Sequence, residues 1–540
     1  MPLSPATIFN WLFASDPAQA PRRLAARWLF LRALGLIFFS AFYSLLRQVR
    51  GLIGPDGLLP AQEYLQAIRQ VAGASRFWDV PTLFWLRSDS RVLLLLAWLG
   101  LIASILLVLN FWPRGTIFVC LVAFVSFISA LQTFSSYQSD GMLLSAGFIS
   151  LFFAPPGFWP RRGERHPGSR GSLFLLLLVW FTIYFESGVA KIASGDLEWR
   201  NLTAMDDYYQ NGPLPTWIGW YANHLPHWFH VGTAGFTLAV EFVLVWMALL
   251  PRRFRIVLFW LVTPLQIGII VTSNYAFLNY LVLALGILLL DDKYLAGLPG
   301  HLRDEARRAA DLTQASISPT DENVRRHSWA VVRDGFSSLG LWVAAFLQIW
   351  VFYAIAAQLI WMIVPWAPLP TSPVSELEPY RIANRYGLFA VMTRGRYEIE
   401  FQGSDDGRTW TPYPFRYKPQ DPRAAPRIYA PYQPRFDWNL WFASLDNWQQ
   451  NRFVIYAEER LLTGSPSVLA LFAGNPFPNA PPMQLRTVVW QYWFSDHTEK
   501  KQGLWWRREL IGLYAPALAR QPDGKFVITQ FPEPGQRIRQ

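Results

Sequence analysis

The sequence predicts a polytopic α-helical membrane bundle of about nine spans, followed by a C-terminal α+β domain on the non-cytoplasmic side. Three observations carry this fold class. Of 540 residues, 52% are hydrophobic and only 16% charged, whereas soluble globular chains hold about a quarter charged residues. The apolar residues gather in runs near the ~20 residues that a helix needs to cross a hydrocarbon core about 30 Å thick. Those runs then stop, and the rest of the chain mixes Pro, Trp, Arg and polar residues. Such apolar and aromatic content excludes disorder. The single cysteine, Cys120, excludes disulfide scaffolds, cysteine-rich zinc sites and dithiol redox motifs. The formal net charge of +11 does not collect on one face, so nucleic acid is not an expected partner. Lys and Arg lie mostly between apolar runs, where they control topology.

Residues 1–27 read as a cytoplasmic segment, and the first run, 28–46, reads as a signal anchor because no small-residue cleavage site follows it. Runs at 92–112, 116–134, 172–192, 231–250, 256–272 and 340–364 have the length and composition of spans. Two others are short: 142–154 must tilt, thin the bilayer or form a re-entrant hairpin, and 276–290 is marginal. The bundle is therefore expected at 28–292, a charged cytoplasmic linker at 293–338, the last span at 339–365 and a soluble domain at 376–540.

Orientation follows from the basic residues of the short loops. With a cytoplasmic N-terminus, Arg22, Arg23, Arg27, Arg161, Arg162, Arg165, Arg170, Arg252, Arg253 and Arg255 stay inside, while Asp196, Glu198, Asp206 and Asp207 face outside. The long loop carrying Arg69, Arg76 and Arg87 disagrees, but long loops obey the rule weakly. An odd number of spans puts the C-terminal domain outside. In that domain 397–401 alternates like a strand and Asp405-Asp406-Gly407 signals a hairpin turn. Residues 404–410 are similar to the short hairpins of sialidase repeats and discoidin-like sandwiches, with a turn that packs Trp410 as the favoured meaning. Stretches 445–462 and 466–472 read as amphipathic helices.

Ionisable residues inside spans are costly and so are candidates for chemistry. Arg32 can snorkel to the headgroups. Glu186 and Lys191 share one run, and Glu241 lies mid-run in another. They form either an intramembrane ion pair or a site with a desolvated lysine base, and Gly188 could admit a neighbouring helix closely. His224, His227 and His230 recur every three residues, but Pro226 interrupts a helix there and the Trp and Tyr between them suit a membrane-interface belt, so no metal is expected. No nucleotide, hydrolase or metalloprotease motif stands in a usable context, and no cofactor is expected.

Several ordered motifs span both halves: Leu52-Ile-Gly-Pro-Asp-Gly57, Phe77-Trp-Asp-Val-Pro-Thr-Leu-Phe-Trp85, Trp199-Arg-Asn-Leu-Thr203, Ser273-Asn-Tyr275, Tyr386-Gly-Leu-Phe-Ala-Val-Met392, Pro431-Tyr-Gln-Pro-Arg435 with Asp437-Trp438 and Trp441-Phe442, and Trp505-Trp-Arg-Arg508. In these the chain resembles the lipase maturation factor family along nearly its full length. The resemblance implies a membrane-anchored maturation factor or chaperone for exported client proteins, lipases above all. Eukaryotic members sit in the endoplasmic reticulum membrane with the C-terminal domain in the lumen. A lone cysteine departs from the several expected of an animal lumenal domain, which points to a bacterial member in the cytoplasmic membrane and leaves the client open. Tyr432, Trp438, Trp441 and Trp410 are the expected client-binding residues if they are exposed, and core residues if they are not. A more distant resemblance links 184–191, Trp199 and the span of Glu241 to the membrane region of vitamin K-dependent gamma-carboxylase. It implies an alternative in which Lys191 is a catalytic base, with Glu186 and Glu241 as the other catalytic candidates.

Overall fold

The computed structural model describes residues 5–13, 23–164, 166–297 and 329–533. Seven of its helices are long and apolar enough to cross a membrane. They are α1 (Leu24–Ile53), α2 (Ser90–Val108), α3 (Pro113–Ala130), α5 (Arg170–Ala193), α6 (His227–Phe242, extended by a tight turn to Leu249), α7 (Arg252–Thr272) and α9 (Trp329–Ile363). The two short runs form α4 (Gln138–Phe153) and α8 (Leu278–Gly286, continued to Leu289). The expected nine is thus seven full-length spans plus two shorter helices. Residues 298–328, most of the expected charged linker, lie outside the described residues, and α9 begins at Trp329, ahead of the expected start at 339.

Each helix start has a local cause. Asp89 and Ser169 accept backbone N–H groups of the first turns of α2 and α5, and Pro113 opens α3. At α1 the preceding Arg23 supplies no cap, and the carboxylate of Asp292 takes the N–H groups of Leu24 and Ala25, both at 2.8 Å. At the same end Arg27 donates to the carbonyls of Arg162, Gly163 and His166 at 2.8–3.0 Å, pinning the α4–α5 loop. Arg32, expected to snorkel, lies over the Trp28 ring at 4.6 Å and donates to the Trp28 carbonyl.

The C-terminal domain is a six-stranded antiparallel sheet carrying two helices, α10 (Arg435–Ser444) and α11 (Phe453–Leu462). Its strands are β1 (Arg396–Ser404), β2 (Thr411–Pro412), β3 (Gln484–Phe494), β4 (Trp506–Leu513), β5 (Ala517–Arg520) and β6 (Phe526–Gln530). The order is β2-β1-β3-β5-β6, with β4 beside the far half of β3. β1 and β3 pair from Arg396↔Tyr492 to Ser404↔Gln484. The turn at Asp406 forms as expected, its Oδ1 accepting from the N–H groups of Arg408 and Thr409. The long helix expected at 445–462 is only its second half, α11, and 466–472 yields a single turn, Pro466–Leu469.

The alternation of β1 is real, yet every position of the strand is buried. Its polar face is covered and its carboxylates are partnered: Lys418 Nζ sits 2.7 Å from Glu398 Oε2, and Gln420 and Trp490 donate to Glu400 at 3.0 and 3.2 Å. Close by, Asp437 Oδ1 accepts from the Tyr417 and Lys418 backbone N–H groups at 3.3 Å. Burial pushes its carboxyl up to about 7, against the opposing pull of Lys418.

The domain seats on one end of the bundle and touches alternate helix ends. Gln48 near the C-terminus of α1 donates to the Gln433 carbonyl at 2.9 Å, Asn384 donates to the carbonyl of Gly141 at the start of α4 at 3.0 Å, and Lys191 at the end of α5 reaches Leu388 at 2.9 Å. Asn274, just after α7, accepts from Tyr429 and Ala430 and donates to the Arg427 carbonyl, and Gln358 late in α9 reaches Ala383. The pattern is that of antiparallel neighbours crossing in alternation.

Candidate functional site

The charged residues singled out inside the bundle meet at the junction with the C-terminal domain. Lys191 Nζ lies 2.8 Å from Glu241 Oε1 and 2.9 Å from the Leu388 carbonyl, and 4.9 Å from the centre of the Trp199 ring. Lys191 is 1% exposed, so this pairing is what lets an ammonium exist there. The pair is possible because α5 and α6 touch at Gly188, where an added Cβ would lie 2.9 Å from Glu241 Cβ. Glu186 is not part of the pair. Five residues turn a helix by about 140°, so it leaves α5 on another face, where its Oε2 accepts from Tyr386 N at 2.6 Å.

Residues 386–392 are thereby laced onto the end of α5 and the loop beyond it. Leu388 N donates to Ser187 Oγ, the Phe389 carbonyl accepts from Trp199 Nε1 at 2.8 Å, the Ala390 carbonyl from Ser194 Oγ at 2.8 Å, and Met392 N donates to Asp196 at 2.5 Å. Phe389 holds φ +56° and drives its ring against Tyr275 and Tyr208, at 4.9 and 5.8 Å between centroids. This backbone strain is maintained by the surrounding bonds. The arrangement places Lys191 between a carboxylate and a carbonyl, the geometry of a buried ion pair. The carboxylase-like alternative is not supported.

A second junction joins α4 to α10. Arg435 makes two bonds of 2.8 Å to Asp140, one to each carboxylate oxygen, and donates to the Phe134 carbonyl at 2.8 Å; both side chains are fully buried. Tyr137 donates to the Arg435 carbonyl and its ring packs 4.8 Å from that of Trp438. Asp140 and Arg435 stand 295 residues apart, and no pattern in the sequence pairs them. The one available signal was a carboxylate at the edge of a short apolar run.

The aromatic residues expected to greet a client are mostly spent on packing. Trp438 and Trp441 are 4% and 7% exposed, inside the domain. Tyr432 accepts from Gln48 and packs on Tyr43 and Tyr417, and Trp410 lies under the Arg486 guanidinium at 4.2 Å. Physically, indole is too large and apolar to leave in water when a facing ring can cover it. The three histidines do not converge: His227 and His230 share Asp206, at 3.1 and 2.8 Å, while His224 bonds the Trp220 carbonyl and stacks on that ring. Burial raises the Asp206 carboxyl, but the two histidine bonds outweigh it and hold the group below its ordinary value.

Comparison with known proteins covers both halves of this assembly. The family model for the lipase maturation factor transmembrane domain matches residues 25–297, and that for the lipase maturation factor C-terminal domain matches residues 382–516. The chain is 31% identical to lipase maturation factor 1 of Bos taurus, covering 96% of this chain and 94% of that protein. It is 30% identical to lipase maturation factor 2 of Homo sapiens, over 94% of this chain and 84% of that protein. No solved structure matches significantly. With both domains matched in order, this chain belongs to the lipase maturation factor family.

Proposed function

We propose that the chain is a membrane-anchored maturation factor for exported proteins, lipases among them, that acts without turnover of its own. The observation that carries this reading is the 31% identity to a lipase maturation factor across 96% of the chain, bundle and C-terminal domain together. In this reading the C-terminal domain faces away from the cytoplasm, which the basic residues of the short loops support, and there it meets a folding client. Rigid seating on the bundle supports the reading, because a fixed platform presents its surface at little entropic cost. Since Trp438 and Trp441 are interior, the client contact moves to the outer strands. Among the described residues β4 and β6 each end the sheet on one side, and Leu510 and Ile528 on them are 47% and 49% exposed. An extended segment of an unfinished client can add to such an edge through its backbone.

The test is photo-cross-linking from Leu510 or Ile528 in intact membranes of cells exporting a lipase. Capture of the lipase from these positions, and not from the opposite end of the bundle at Arg253, is the expected result. Equal capture at both ends, or none at either, would remove the C-terminal domain as the client surface.

A further inference from the structure

Beside the Lys191–Glu241 pair lies a partly open cavity of about 370 Å³, lined by α5, α6, α7 and α8 together with Trp199, Leu388 and Phe389. That volume is at the small end for ligand sites, enough for one slender molecule. The walls toward the bilayer are apolar, with Phe229 and Phe236 from α6 facing Leu265 and Ile269 from α7. These two helices are the outermost of the set. Only 22% and 17% of their most apolar stretches are buried, against 67% for α5. The cavity therefore stands next to lipid.

Its deep end is polar. Gln266 donates to the Tyr184 hydroxyl at 2.9 Å and accepts from Asn279 at 2.7 Å, so both its nitrogen and its oxygen have a partner. Glu241 differs: it is 8% exposed, Oε1 takes the Lys191 ammonium at 2.8 Å, and Oε2 has no hydrogen-bond partner. A buried carboxylate oxygen at the end of an apolar cavity calls for a donor. Gly268 lines the cavity from an exposed position on α7. A Cβ added there would meet nothing within 4 Å.

We propose that this cavity binds one neutral single-chain lipid from the bilayer, whose hydroxyl donates to Glu241 Oε2 while its chain runs out between α6 and α7. A free fatty acid is disfavoured, because its carboxylate would face that of Glu241. Occupancy is independent of client handling, so each can fail without the other.

The probe is a monoacylglycerol carrying a diazirine in its chain, offered to the full-length protein in phosphatidylcholine nanodiscs beside a fatty acid with the same chain. Expected is saturable labelling of peptides containing Phe236 and Ile269, at least about fivefold above the fatty acid and displaced by unlabelled monoacylglycerol. Gly268→Phe, which puts a ring into the lining of the cavity, should cut labelling about fivefold or more at unchanged thermal stability. Glu241→Gln keeps an acceptor for Lys191 but turns the free oxygen into a donor, and should erase the preference for the hydroxyl head. If Gly268→Phe does not insert, Gly268→Leu takes its place. Undiminished labelling of the Gly268 variant, equal labelling by the fatty acid, or labelling spread evenly over the outer helix faces overturns the proposal.

Discussion

Removing Arg435 should unseat the C-terminal domain from the bundle, and removing Asp140 with it should restore the seat. The pair is bidentate, with two 2.8 Å bonds between fully buried side chains. Arg435→Met leaves the Asp140 carboxylate buried and uncompensated, a loss of about 3–5 kcal/mol. Domains hold only about 5–15 kcal/mol in total, so the single change consumes a large share and lowers the unfolding midpoint by roughly 6–20 °C. Asp140→Leu with Arg435→Met replaces both charges by apolar volume, which is near neutral for buried pairs. The assay is thermal unfolding of the purified full chain in detergent, followed by Trp fluorescence, with limited proteolysis of 364–380 reporting release of the domain. A melt of Arg435→Met equal to that of the parent, or a double variant as unstable as the single, would rule out the pair as the seat of the domain.

The Lys191–Glu241 pair should behave alike: Lys191→Met alone costs several kcal/mol in the same assay, and adding Glu241→Leu recovers most of it. Uniform loss of lipase maturation in Lys191→Met, Glu241→Leu and the double variant, with folding intact, would contradict a purely structural pair. Gly188→Leu forces side-chain atoms where Glu241 Cβ already lies 2.9 Å from the position of a Cβ, and should cost about 1–3 kcal/mol; a melt unchanged within error counts against the close helix contact. Asp437 retains its proton up to a pH of about 7 in the folded chain, whereas an unfolded aspartate loses it near about 3.9. Between those values the folded state binds more protons, so this contribution to stability is full at low pH and fades as pH rises through 7. Asp437→Asn should flatten that slope and melt above the parent at pH 8, and a steeper slope in the variant would refute the assignment.

The membrane half was legible because bilayer thickness imposes one length on every span, which a single sequence displays without knowledge of partners. The short helices Gln138–Phe153 and Leu278–Leu289 were harder, because packing between longer neighbours excuses them from that length. In the soluble half β1 and its turn were readable from alternation and Asp-Asp-Gly, which are local signals. The break between α10 and α11 was not, since amphipathic periodicity runs through the intervening turn. Lys191 and Glu241 were found because charge in a span is conspicuous. Asp140 and Arg435 were missed because each, taken alone, looks like an ordinary polar residue at an element boundary. The exposure of Trp438 and Trp441 was undecidable from composition, since the same side chains serve a core and a binding face.

Under the proposed function, this chain brings an exported lipase to its active form through its C-terminal domain. The most direct measurement is the specific activity of a secreted dimeric lipase in cells devoid of their own maturation factors. One arm supplies the full chain and the other a chain ending at Thr371, at equal membrane abundance. The full chain should raise activity per unit of secreted lipase several-fold while the truncated bundle leaves it at baseline. Equal activity in the two arms, or no rise with the full chain, would contradict the proposed function.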